Sequence, residues 1–390
     1  MSTPVAESPE AKRRPVRLPQ RKMRRFVEGV IESGLLLCGL LSIGITIAIA
    51  FVMIEGSVEF FGKKEVWIER RKGDVKEYIL QSRGNKEIVL EEVEGEQIVI
   101  EERTPGQVDK AKRDHDRERT LRWMSGAETW SRISYFFTGT VWDNVNDRFG
   151  VVPLLIGTFW IAVISGCVAI PIGVVSAIYL SEYASPRVRS FAKPALELLA
   201  GVPSIVYGFF AVTVVTPLLA SPFTLFGIDF QPIIPGLNTT NQISGGLVVG
   251  IMIIPLVASL SEDALRAVPR SLRDGAVALG ATKFETSTKV VVPAALSGIV
   301  ASFILALSRA IGETMAVSLA CGENNTFTLD PRQGITTLTS FIVRRAKGEI
   351  EHGTTEYNCL FAVGLLLFLI TLGMNVLAQR IRKRYRQVYQ

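Results

Sequence analysis

The stretch Asp274-Gly-Ala-Val-Ala-Leu-Gly-Ala-Thr-Lys-Phe-Glu-Thr-Ser-Thr-Lys-Val-Val-Val-Pro293 is polar, yet it lies between two apolar segments that can cross a bilayer. Its pattern predicts a short helix, a tight turn at Gly280, a second polar helix, and a proline where the next apolar run begins. Gly275 lowers helix propensity in the first piece by ~1 kcal/mol relative to alanine.

Working outward, the 390 residues are 48% hydrophobic, a composition ordinary for a polytopic membrane protein. A helix needs ~20 apolar residues to cross the hydrocarbon core. Six stretches approach or exceed this: Gly34–Ile54, Val151–Leu180, Ala195–Leu219, Gly245–Leu260, Ala294–Ala320 and Leu360–Ala378. The first has a longer apolar run than a signal peptide and no evident small-residue cleavage site, so it reads as an uncleaved span.

Charge sets the orientation. Basic residues crowd the N-terminal tail (Lys12 to Arg25), the loop after the second span (Arg187, Arg189, Lys193), the 261–293 loop and the C-terminal tail (Arg380 to Arg386). Six alternating spans put all four regions on one side, which the positive-inside rule makes the cytoplasm. Both termini and the Asp274–Pro293 loop are then cytoplasmic. The net charge of +6 reflects topology and contact with lipid headgroups, not nucleic-acid binding.

The expected fold is an all-α polytopic membrane protein of six transmembrane helices, with a small β-rich periplasmic insert between helices 1 and 2. Residues 1–26 form a basic cytoplasmic tail and 27–58 the first span. Residues 59–150 form the insert, 151–380 a core carrying the 261–293 loop, and 381–390 a cytoplasmic tail. Within the insert, Val75, Tyr78 and Leu80, then Ile88 and Leu90, then Ile98 and Ile100 alternate as three strands, with turns at Gly84-Asn85 and Glu94-Gly95. The charged run Asp109–Arg122 is expected to be helical and solvated. Cys38 and Cys167 fall inside spans as small core residues, while Cys321 and Cys359 both fall on the outer side, free or paired.

Only two histidines occur, so no metal or catalytic cluster is expected. No phosphate-binding Gly-x4-Gly-Lys-Ser/Thr loop is present either, so this chain is not itself an ATPase. It needs no cofactor of its own.

The second informative constellation is Ser308-Arg309-Ala310-Ile311-Gly312-Glu313-Thr314, inside the fifth apolar run. A charge at that depth faces a bundle interior or a wet cavity, usually beside a partner. Arg309 and Glu313, spaced i,i+4, are expected on one helix face. They form either a structural ion pair or a substrate site, in which the guanidinium fork holds an oxyanion and Glu313 holds the fork when the site is empty. Pro203, after Gly201, kinks the third span and places Ser204 and Tyr207 where they can line a pathway. Gly246 and Gly250 make a small-xxx-small pair for close helix packing.

These segments resemble the permease subunits of bacterial ABC importers. Asp274, Gly275, Ala276, Gly280 and Pro293 keep the spacing of that family's ATPase-coupling loop, with Asp for Glu and Gly for the first Ala. Arg309–Ala316, Gly201–Gly208 and Ala264–Pro269 are similar to the phosphate-importer permeases, and the ending Glu-Thr-Met-Ala-Val leans to the PstC type. The insert from about Phe61 to Met124 looks foreign to that family. The resemblance implies phosphate import, with Arg309 and Glu313 on the path. It further implies a second permease (PstA type), an ATP-binding subunit dimer (PstB type) holding ATP and magnesium, and a periplasmic phosphate-binding protein (PstS type), all at the bacterial inner membrane. Other oxyanions such as sulfate or molybdate, an ion-gradient carrier and a membrane sensor remain rival readings of the residues alone.

Overall fold

The computed structural model describes residues 21–70, 77–83, 86–93, 96–103, 116–143, 148–225, 228–348 and 354–384. Residues 1–20 of the N-terminal tail, Val75, the two turns of the insert, Asp109–His115 and His352 lie outside these residues. The chain divides into two compact units, Met1–Val52 and Met53–Gln390. The first unit is described from Arg21 as helix, the leading part of α1 (Arg21–Gly62), whose apolar stretch Leu35–Gly62 is long enough to span.

In the second unit, the end of α1 leads into an antiparallel sheet of β1 (Lys63–Arg70), β2 (Glu77–Arg83), β3 (Lys86–Val93), β4 (Glu96–Arg103) and β5 (Asp116–Trp123). The strand order is β4-β3-β2-β1-β5. The sheet is thus larger than the expected three-stranded meander, and Asp116–Trp123 is a strand, not the end of a charged helix. The register explains this: β5 pairs along the whole of β1 and sets Arg117 across from Glu69 and Asp116 across from Arg70. The strand is held by its backbone ladder with β1, a long-range pairing that the local charge pattern does not reveal. Ile79, Ile88 and Leu90 form one buried cluster and Leu80 with Val89 another, as alternate residues turn to opposite faces.

Helix α2 (Gly126–Thr138) begins with a capping box between Ser125 and Glu128. Lys64, bonded to Glu128 at 2.7 Å, holds that carboxyl below its ordinary range. Arg132 donates to the carbonyls of Phe60 (2.9 Å) and Lys63 (2.8 Å), which satisfies orphan acceptors at the end of α1. Phe60, Phe136, Phe149, Trp142 and Phe341 stack edge-on and seat the sheet's root against the helices. Short strands β6 (Trp142–Asp143) and β7 (Arg148–Phe149) complete this corner.

The helical core follows: α3 (Val152–Tyr183), α4 (Pro186–Ala200) and α5 (Ser204–Ala220), then the small hairpin β8 (Phe223–Leu225) with β9 (Ile228–Phe230). Next come α6 (Gln242–Arg266), α7 (Arg270–Ala278), α8 (Lys283–Ile311), α9 (Met315–Ala320), α10 (Leu338–Lys347) and α11 (Thr355–Arg384). Among the described residues five helices are long and apolar enough to cross a membrane, and the bent pair α4–α5 makes a sixth candidate. The third apolar run is interrupted, not merely kinked, with an 82° bend between its halves. Pro203 cannot continue a helix hydrogen-bond ladder and here stands as the extended residue before α5. The fifth apolar run is also interrupted, because α8 stops at Ile311 and a separate short helix follows.

Helices α3 and α6 pack at very close range. A side-chain carbon at Gly246 would lie 2.6 Å from Cβ of Ile164, and one at Gly250 3.0 Å from Cβ of Val168. The absence of side chains lets the two backbones approach, as the small-residue pair predicted. Cys38 and Cys167 are exposed on helix surfaces instead of in a core. Cys321 and Cys359 are buried and free, each in a different apolar cluster.

The Gly246→Leu variant overpacks the α3–α6 contact and is expected to destabilise the chain by about 1–3 kcal/mol or more. Gly373→Leu, where no atom lies within 4 Å of the added carbon, is expected to be neutral. Melting temperatures of the two purified variants in detergent check this.

Candidate functional site

The polar loop folds as its sequence pattern implies. Helix α7 ends at Ala278, and Gly280 takes φ +85°, a left-handed conformation that glycine adopts without strain. Thr282 and Glu285 then form a capping box: Thr282 Oγ1 accepts from the Glu285 amide, and Glu285 Oε2 accepts from the Thr282 amide at 3.1 Å. This starts α8, so the second polar helix and the next span are one continuous rod. Pro293 stands two residues beyond the widened π-turn Thr286–Val291 inside it. Asp274, Gly275 and Gly280 are exposed and Ala276 is half-buried. Three apolar side chains also project from this polar loop: Leu279 is 91% exposed, Phe284 68% and Val277 59%. Apolar knobs among charges at a helix-bundle end suit a groove on another protein.

What holds the loop in place was not legible as a motif. Arg273 on α7 donates through Nη2 to Glu182 Oε1 (3.0 Å) and through Nε to Oε2 (3.3 Å), at the end of α3. It also donates to the carbonyls of Leu265 (2.8 Å) and Val268 (2.6 Å), at and just beyond the end of α6. One guanidinium therefore joins the loop helix to the ends of two spans. A second hub lies beside it. Glu262, 1% exposed on α6, pairs with Arg189 (2.5 Å) and Lys193 (3.2 Å) of α4. Lys193 also reaches Asp263 at 2.9 Å. The signal was present in the spacing: Arg189 and Lys193 share an i,i+4 face, and an acid pair closes the fourth span.

The intramembrane constellation is arranged differently from its expectation. Gly312 ends α8 as its C-terminal cap, so Arg309 and Glu313 do not share a helix face. Among the described residues no ion pair joins them. Arg309 is exposed in the last turn of α8, flanked by buried Ser308 and Ala310. Glu313 turns the other way: its Oε1 accepts weakly from the amide of Ala316 (3.5 Å), in the first turn of α9, and its carbonyl accepts from Thr339 Oγ1 of α10 (2.7 Å). Thr314 Oγ1 donates to the Gly312 carbonyl (3.2 Å) within the turn.

The two interrupted apolar runs meet. A side-chain carbon at Gly208 of α5 would lie 2.9 Å from Cα of Ala316 in α9. Tyr207 packs on the same cluster as Ala316 and Val317, and its hydroxyl donates to the Leu199 carbonyl of α4 (3.1 Å), across the break in the third apolar run. Ser204 opens α5 half-buried. Among the described residues, neither Ser204 nor Tyr207 is hydrogen-bonded to Arg309 or Glu313.

Residues 169–387 match the family described as the inner membrane component of binding-protein-dependent transport systems. The probable ABC transporter permease protein YqgH of Bacillus subtilis is 33% identical over 251 residues, 64% of this chain and 77% of that protein. The phosphate transport system permease protein PstC of Haemophilus influenzae is 35% identical over 260 residues, 65% of this chain and 82% of that protein. A chain of the solved MetNI methionine ABC transporter aligns at 17% identity and a TM-score of 0.42, over 66% of this chain and 99% of its own length. The chain belongs to the binding-protein-dependent transport permeases: it is a multi-pass inner-membrane component of an ABC transporter. It is a permease, not an enzyme, and such permeases work with a separate ATPase and a substrate-binding protein.

Removing the Arg273 fork takes from Glu182 its cationic partner and from the Leu265 and Val268 carbonyls a charged donor. Arg273→Gln is expected to lower stability by roughly 1–3 kcal/mol, and Arg273→Lys to restore only part of it. By contrast, a side chain at Gly275 meets nothing within 4 Å, so Gly275→Ala should stabilise α7 by about 0.5–1 kcal/mol. Thermal unfolding in detergent reads both.

Proposed function

We infer that this chain is the permease subunit of an ATP-driven importer that moves inorganic phosphate into the cytoplasm. The substrate rests on relatives named as phosphate permeases, at 31–35% identity over about two thirds of this chain. The observation that carries the chemistry is Arg309, an exposed guanidinium at the end of a membrane helix with no ion-pair partner among the described residues of its own chain. A lone charge at that depth requires water, an anion or a second subunit beside it. A planar fork suits a tetrahedral oxyanion, which accepts two parallel hydrogen bonds.

In this reading the basic loop end faces the cytoplasm, both termini lie on that side, and the five-stranded sheet is periplasmic. The partners are a second permease of the PstA type, an ATP-binding dimer of the PstB type and a phosphate-binding protein of the PstS type. ATP and magnesium belong to the ATPase, and this chain needs no cofactor. Helix α7 with Asp274, Gly275 and Ala276, the Gly280 turn, and the start of α8 with Leu279 and Phe284 beside it, dock on the ATPase. Because α8 runs unbroken from Lys283 to Ile311, a displacement at the docking end is delivered two residues from Arg309. Pro293 and the π-turn before it set where that rod yields.

The substrate site in this reading comprises Arg309 and Glu313, with Ser308, Thr314, Ser204 and Tyr207 along the path. Glu313 tethers the turn to α9 and α10 and so sets the direction in which α8 ends, instead of neutralising Arg309 directly.

The test is labelled phosphate uptake, with sulfate as competitor, in cells that depend on this complex. Arg309→Gln is expected to reduce uptake at least tenfold at unchanged membrane abundance, with sulfate not competing in the wild type. Undiminished uptake would reduce Arg309 to a structural residue. Strong competition by sulfate would replace the substrate and leave the importer class in place.

A further inference from the structure

A cavity of about 810 Å³ opens at the loop end of the second unit, between α6, α8 and α11. It is separate from Arg309, which does not line it. On α8 its lining runs from Ala294 to Leu305, eleven helical steps or about 17 Å. That is close to half of a ~30 Å hydrocarbon core, the depth of one leaflet.

The walls are small and apolar: Ala264 on α6, and Ala294, Gly298, Ala301 and Leu305 on α8. Ser302, on the deep wall, is already satisfied, because it bonds Ser261 of α6 at 2.8 Å. The end of the cavity beside the loop is different. Arg382 and Lys383, in the last turn of α11, line it, and both are exposed. Among the described residues neither makes an ion pair. Asp263 also lines this end, but its carboxylate is held by Lys193 at 2.9 Å.

We propose that this cavity is a binding site for an anionic phospholipid, with an acyl chain along α8 and the phosphate of the headgroup between Arg382 and Lys383. The two ends of the cavity select the two ends of one molecule. A free oxyanion would leave the apolar walls uncovered, and a neutral lipid would leave two cations unmatched. The occupant would wedge between α8 and α11 next to Val268 and Pro269, which also line the cavity. Those residues lead directly into α7, so lipid occupancy would bear on the position of the loop. The proposal does not depend on which substrate the permease carries.

The experiment is native mass spectrometry of the full-length chain released from bilayers of equal phosphatidylglycerol and phosphatidylcholine. The wild type is expected to retain one phosphatidylglycerol. The Arg382→Gln/Lys383→Gln variant should retain at least fivefold less. Ser297→Leu, which leaves the charges and fills the apolar wall, should lose it to a similar extent. The charge-matched control Arg380→Gln/Arg384→Gln, off the cavity lining, should keep it. Equal retention of the two lipids, equal loss in the charge-matched control, or full retention in Ser297→Leu would each overturn the site. So would retention in the Arg382→Gln/Lys383→Gln variant.

Discussion

A carboxylate buried at the end of a membrane helix must be matched, and Glu262 is matched from another element. Its two oxygens face Arg189 and Lys193 of α4, so the pairing is a cross-tie between α4 and α6. Breaking a buried pair by removing one partner typically costs about 3–5 kcal/mol, far more than an exposed bridge contributes. The clamp therefore fixes the first half of the interrupted third apolar run against the fourth. Arg273 extends the same logic to the loop, because its fork reaches Glu182 at the end of α3 and the carbonyls of Leu265 and Val268. With α4 held to α6, and α7 held to α3 and α6, the loop helix is a rigid projection of the bundle. In the proposed docking role this rigidity would pass a displacement on, where a floppy loop would absorb it.

The helices themselves are built to yield at chosen places. Two π-turns inside continuous helices are each followed two residues on by a proline: Ala211–Val215 by Pro217 and Thr286–Val291 by Pro293. A proline withdraws one amide from the ladder and crowds the carbonyl four residues before it. A widened turn at that point accommodates the conflict while the helix continues. In lipid this matters more than in water, because an unpaired carbonyl has no solvent to turn to. The two full interruptions, at Gly201–Pro203 and Gly312–Thr314, are followed by α5 and α9, which pack on one another. Non-helical backbone at membrane depth is tolerated where protein or a wet cavity surrounds it, and this pair of breaks meets that condition by adjacency.

What the sequence made legible follows from which signals are local. Apolar length located the spans, and Gly280 announced the turn between two polar helices. The Gly246 and Gly250 pair announced a close contact. The five-stranded sheet was only partly legible, because β1 and β5 pair across more than forty residues of chain and β5 has the composition of a charged helix. The Glu262 and Arg273 hubs were not seen, since each joins residues about seventy to ninety positions apart. The Arg309–Glu313 pairing failed for a local reason. An i,i+4 spacing implies a shared face only while the helix lasts, and Gly312 between the two residues ends it.

That failure has a consequence for how the subunit is completed. Apolar side chains on the outside of a membrane helix, such as Phe191, Leu198 and Phe209, are equally content against lipid or against another protein, so their exposure does not discriminate. A guanidinium does discriminate. Had Arg309 been neutralised by Glu313, the fifth span could have faced lipid on every side. With no ion pair joining it to Glu313 among the described residues, the exposed face carrying Arg309, at the far end of α8 from its charged start, is one that hydrocarbon cannot cover without penalty. In a two-permease assembly that face belongs at the seam between subunits, where a path for a charged solute can be kept wet. In the proposed importer, the same unmatched charge marks where a second subunit would seal the span and where an anion would pass.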